Sequence, residues 1–173
     1  MIQPFATRTH EKMKEVLMNP EAMGPDIHYY MIRGGSIKKN ITIWESGTSG
    51  DEYIKAYGHY HKDDLEETYT ILAGEGMILL QSPIIDSSVE SFKVIKVKEG
   101  DTVRIPGSMG HLALNTGNTW FVTKDDSPTS LDHADYEPIR NMKGFAYYVI
   151  RKDDKPAFIK NPFYKTVPEI DIS

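Results

Sequence analysis

The chain has 173 residues, a formal charge of −5 and no cysteine. That length suits one domain burying roughly two-thirds of its unfolded surface, and the missing cysteines exclude disulfides, thiolate metal sites and a cysteine nucleophile. Acids and bases are mixed without a basic stripe, which argues against nucleic acid as a partner.

The opening residues, MIQPFATRTHEKMK, lack the apolar stretch of a signal peptide, and no run reaches the length of a membrane span. The expectation is a soluble cytoplasmic protein that does not engage a membrane. After Thr9, the residues Met13, Val16 and Leu17 fall at i, i+3 and i+4 and predict one short amphipathic helix. From there the chain reads as short β-rich runs punctuated by Gly, Pro, Asp and Ser. They are His28–Ile32, Ile41–Trp44, Glu52–His61, Glu67–Leu72, Met77–Gln81, Phe92–Val97, Thr102–Ile105, Leu112–Leu114, Trp120–Thr123 and Phe145–Ile150. The pattern predicts an all-β barrel or sandwich, with Gly74-Glu75-Gly76 and Glu99-Gly100-Asp101 as turns. No interior linker divides it, so residues 1–173 are expected to form one domain. Its core would span about 28–150, and the proline-bearing tail 151–173 would wrap the outside.

Alternate side chains of a strand share a face. Tyr53, Lys55, Tyr57, His59 and His61 therefore point the same way, and two imidazoles can converge on one point. Glu67 follows on the next strand with Tyr69 and Ile71 on its face, and His111 lies after a Pro-Gly-Ser turn. Three imidazoles and one carboxylate suit Fe, Mn, Ni or Zn and not Ca or Mg, whose shells are oxygen-rich.

Gly58-His59-Tyr60-His61, then Glu67 and Gly74, resembles the first cupin motif; Gly100, Pro106, Ser108, His111 and Asn115 resemble the second. Ser108 stands where the pattern usually has glycine. The spacing selects Glu67, seven residues before Gly74, over its neighbour Glu66. The run from Gly58 to Pro83, with Asp135-Tyr136, Gly144-Phe145 and Asn161-Pro162, is similar to the cupin-type glucose-6-phosphate isomerases of archaea and some bacteria. The resemblance implies a single-domain, jelly-roll-like cupin barrel acting in glycolysis and gluconeogenesis, paired as a homodimer. It also implies one divalent transition metal per chain, iron first among Fe, Mn, Ni and Zn, on His59, His61, Glu67 and His111. Tyr30, Thr42, Gly58, Tyr69 and Tyr136 match positions lining a sugar-phosphate pocket, with His133 beside them. Ala56 replaces a threonine that helps hold the phosphate, and Ser127 lies near where a tyrosine is expected.

The implied activity is a metal-dependent interconversion of glucose 6-phosphate and fructose 6-phosphate, with Glu67 as metal ligand or base and Tyr69 beside it. A cupin dioxygenase using Fe(II) and a non-catalytic sugar-binding cupin are the alternatives. Several residues also admit plainer readings. Tyr69 could simply fill the core. Lys55 could be solvated near a strand start. Thr42 could be there for strand propensity. His133 and Tyr136 could belong to a solvated turn, and His10 and His28 carry no pattern beyond structure.

Overall fold

The computed structural model describes residues 6–34, 40–128 and 132–173. Strand β1 (Ala6–Thr9) runs into helix α1 (His10–Met13), whose N-cap Thr9 accepts the Lys12 amide N–H at 3.3 Å. Met13, Val16 and Leu17, the predicted apolar stripe, are buried. The strands β2 (Ile27–Ile32), β3 (Asn40–Trp44), β4 (Thr48–Ser49), β5 (Glu52–Tyr53) and β6 (Tyr60–His61) follow, then β7 (Glu67–Ala73) and β8 (Glu75–Gln81). After them come β9 (Phe92–Lys98), β10 (Thr102–Ile105), β11 (Gly110–Asn115), β12 (Phe121–Asp125) and β13 (Ala134–Asp135). Helix α2 (Glu137–Asn141) precedes β14 (Tyr147–Lys152), β15 (Lys155–Lys160) and β16 (Ile170–Ile172).

The expected all-β architecture is present, bonded as separate sheets and not as one closed barrel. The larger sheet has the order β1-β2-β3-β12-β7-β10, and a second has β11-β8-β9-β16. They face each other across the interior, since His111 of β11 comes within 3.2 Å of Glu67 of β7. Alternation along β2, β3 and β12 sends Tyr29, Trp44 and Phe121 inward, where their rings pack at 5.9 and 5.4 Å. One apolar cluster takes residues from both sheets, from α1 and α2 and from the tail residue Tyr164. Among the described residues no helix is long and apolar enough to cross a membrane.

Three expectations need correction. The run Glu52–His61 is not one strand: it breaks between β5 and β6, and Gly58 sits at φ +83° within the break. Single bridges, Lys55 to Leu114 and His59 to His111, tie that stretch to β11. The tail does not merely wrap the surface: β15 forms a hairpin with β14, and β16 adds to the edge of β9 in parallel. Lys55 is not solvated near a strand start; it is buried and paired with Glu52.

Candidate metal centre

His59 and His111 are placed together by backbone pairing. The His59 N–H donates to the His111 carbonyl at 3.2 Å, and the His111 N–H returns a bond to the His59 carbonyl at 3.0 Å. Their ring centroids lie 4.4 Å apart. Two residues on, alternation returns His61 to the same side, with its ring 5.0 Å from that of His59. Pairing of β6 with β13 puts Ala134 opposite His61, and the Lys62 amide bonds the His133 carbonyl at 2.8 Å. The turn before β11 explains the departure at Ser108. A Cβ on Gly107 would collide with the Asp64 backbone, so the glycine is demanded there. Ser108 is exposed and outside the left-handed region, so a side chain is tolerated.

The distances define the centre. Glu67 Oε2 lies 3.3 Å from His61 Nε2 and 3.2 Å from His111 Nε2, and these three residues form a compact donor set. His59 joins a second set, with His61 and His133, whose donor atoms lie within 4.8 Å of one another. The four expected ligands are thus adjacent, with His61 common to both sets and His133 as a fifth donor beside them. His59 Nε2, His61 Nε2, Glu67 Oε2 and His111 Nε2 are all shielded from solvent, and none makes a hydrogen bond among the described residues. Buried polar atoms are ordinarily paired. A cluster of four unpartnered nitrogen and oxygen donors fits a transition metal in both number and chemistry. His61 is further oriented, because its Nδ1 donates to the Leu65 carbonyl at 2.6 Å and leaves Nε2 as the free lone pair.

Electrostatics support ligand forms at Glu67 and His59. Burial opposes the Glu67 charge, but His111, His61 and His59 outweigh it and hold the carboxyl well below its ordinary range. Burial, reinforced by His111, keeps His59 well below its ordinary value and therefore neutral. For His61, burial is outweighed by Glu67 and the Leu65 carbonyl, and its pKa is raised. Burial and the nearby Glu67 charge hold Tyr69 as a neutral phenol.

A cavity opens beside the cluster. Thr42, Gly58, His59, Glu67, Tyr69, His133 and Tyr136 line it, as do the two departures Ala56 and Ser127. His61 and His111 stand behind this wall. Tyr30 does not line it; its neighbour Tyr29 does, because the inward face of β2 carries Tyr29 and Met31. Tyr136 is fixed by its ring, which packs edge-on to Tyr57 and tilted against His59, and its hydroxyl accepts from Arg8 at 3.3 Å. The sequence reading missed Arg33 and Asp125, which also line the cavity. Arg33 sits two residues past Met31, so strand parity was the available signal. Burial, with the Glu67 charge adding, pushes Asp125 up to about 6.

Residues 11–162 match the family model described as Glucose-6-phosphate isomerase (GPI). The glucose-6-phosphate isomerase of Pyrococcus abyssi is 32% identical over 133 residues, covering 76% of this chain and 67% of that protein. That of Thermococcus litoralis is 31% identical over 132 residues, covering 76% and 66%. The chain thus spans about two-thirds of the length of the curated relatives it matches. Among solved structures, a predicted oxalate decarboxylase from Thermotoga maritima superposes with a TM-score of 0.45 at 17% identity, over 72% of this chain and 90% of that one.

Proposed function

Because the chain belongs to the glucose-6-phosphate isomerase family, the reaction to explain is the interconversion of glucose 6-phosphate and fructose 6-phosphate, and we propose that it occurs in the cavity beside Glu67. The observation that carries this reading is the set of four buried, unpartnered donor atoms on His59, His61, Glu67 and His111. These residues would hold one divalent transition metal, with iron the first candidate. When bound there, the metal would supply Lewis acidity toward the C1 and C2 oxygens of the sugar.

The remaining work falls to the chain. The isomerisation moves hydrogen between C1 and C2 while a proton passes between the two oxygens. Glu67 is an ionised carboxylate on the cavity wall, able to accept a proton and return it. Tyr69 keeps its phenolic proton and can donate a hydrogen bond to a substrate oxygen. The Leu65 carbonyl holds His61 in one tautomer, so its Nε2 stays directed at the cluster. Tyr136 and His133 cover the side of the cavity nearest His59, where they would orient the sugar and exclude water.

The test is reconstitution with Fe(II), Mn(II), Ni(II) or Zn(II), elemental analysis, and an anaerobic coupled assay of glucose 6-phosphate formed from fructose 6-phosphate. Binding of about one metal per chain with turnover is expected, and His61→Ala and His111→Ala should lose metal and activity together. Oxygen uptake in place of isomerisation, or sugar binding without turnover under every metal, would overturn the reading.

A further inference from the structure

Of the described residues lining the cavity, one carries a permanent positive charge: Arg33. It lies just past the end of β2, on the face that puts Tyr29 and Met31 into the wall. Its side chain is only 11% exposed. Even so, Nε and Nη1 have no hydrogen-bond acceptor among the described residues. Nη2 reaches Met31 Sδ at 3.7 Å, and a thioether is a weak acceptor.

The nearest carboxylate does not fill these donors. Asp125 Oδ2 stands 3.9 Å from Arg33 Nη1, too far for a hydrogen bond. Asp125 is held back because its other oxygen, Oδ1, accepts from Asn40 Nδ2 at 2.8 Å, from the Ser127 hydroxyl at 2.5 Å and from the Ser127 amide at 3.2 Å. Asn40 is fixed in turn by the Ser127 carbonyl at 2.9 Å. The result is a guanidinium whose charge is balanced nearby while Nε and Nη1 find no acceptor among the described residues.

We propose that Arg33 is the anchor for the anionic group of the substrate and that Asp125 is its positioning residue. The proposal rests on the sugar-phosphate reading of this cavity and names the group that recognises the phosphate. A phosphate dianion entering here meets two carboxylates, Glu67 and Asp125, in the same wall, so a compensating cation is needed. A guanidinium fork pairs two oxygens of a phosphate at once, and charge-assisted bonds of this kind are about twice as strong as neutral ones. Ala56, in the same wall, offers only a methyl group. Arg33 supplies the missing recognition from the end of β2. A purely structural role, neutralising Asp125, would leave the open Nε and Nη1 unexplained.

Arg33→Gln and Arg33→Lys, each metal-loaded, test this. For Arg33→Gln the KM for fructose 6-phosphate should rise about 10- to 100-fold while kcat stays within about threefold. Arg33→Lys keeps the charge but loses the fork, and should fall between the two. Unphosphorylated fructose, with nothing for Arg33 to hold, should show kcat/KM unchanged. Calorimetric titration with inorganic phosphate should rank the affinities in the same order. Unchanged KM and phosphate affinity in Arg33→Gln overturns the proposal; so does an equal loss with both sugars accompanied by a lower Tm, the mark of a structural role. If Arg33→Gln does not fold, a folded Arg33→Lys with wild-type KM overturns it alone. If the wild type turns over no sugar phosphate, the isomerase reading fails and the phosphate titration decides the role of Arg33 by itself.

Discussion

Two glutamates lie buried in this interior, each beside basic side chains, and they are wired in opposite ways. Glu52 pairs with Lys55 through one oxygen and accepts the Met18 amide at 2.8 Å through the other. Lys55 also donates to the Val16 carbonyl at 2.8 Å and lies 5.1 Å from the centre of the Tyr148 ring. Neither side chain leaves a shielded atom without a partner. Glu67, by contrast, turns an unpartnered oxygen toward imidazole nitrogens that are unpartnered as well. Burial and charge are shared by both sites, so neither property distinguishes a structural cluster from one built for a ligand. The distinction lies in which polar atoms the fold leaves open.

The largest effect is expected at the closed cluster. Lys55→Ala strands Glu52 without its counter-charge, and losing one partner of a buried pair costs about 3–5 kcal/mol. Urea unfolding should show this loss, while the folded fraction still binds metal and retains its KM. A stability change under about 1 kcal/mol would mean that the Glu52–Lys55 pair does not secure the Val16–Met18 segment it bonds.

At the open cluster the order of effects should reverse. Glu67→Gln should lower turnover at least about 10²-fold, the usual scale for losing a general base, with a smaller change in Tm than Lys55→Ala produces. Glu66→Gln is the control, since Glu66 is exposed and pairs with the exposed Arg104. Comparable activity losses at both positions would place the functional carboxylate one residue away. The smallest effect belongs to Ala56→Thr, which restores a hydroxyl to the cavity wall. One neutral hydrogen bond should lower the KM for fructose 6-phosphate about threefold to tenfold, with kcat nearly unchanged. A drop in kcat instead would show that residue 56 faces the reacting carbons and not the phosphate.

The contrast also explains what could be read from the residues alone. Motif spacing is local, and the four residues it singled out, His59, His61, Glu67 and His111, lie together in the fold. The choice of Glu67 over Glu66 agrees with a buried Glu67 and an exposed Glu66. Strand parity is weaker where regularity fails. The glycine break at Gly58 split a run read as one strand. Tyr30 came from the family resemblance, not from parity, and the wall carries its neighbour Tyr29. Lys55 was misjudged because its partner Glu52 and the Val16 carbonyl are set by tertiary packing, which no local pattern encodes. Asp125 escaped notice because β12 runs two residues beyond the predicted end at Thr123. Its partners Asn40 and Ser127 meet it only when β3 and β12 pair.

The glycine before the first histidine has a consequence for how this cavity can be remodelled. A Cβ on Gly58 would lie 2.5 Å from the Phe145 ring, and the backbone there is in a region that side chains rarely adopt. Phe145 is itself fully buried, so it has nowhere to retreat. Randomised libraries aimed at new sugar specificity should therefore hold position 58 constant and place their diversity at residues 33, 56, 125 and 127. Those four side chains line the cavity, and none of them is the contact that fixes the backbone at Gly58.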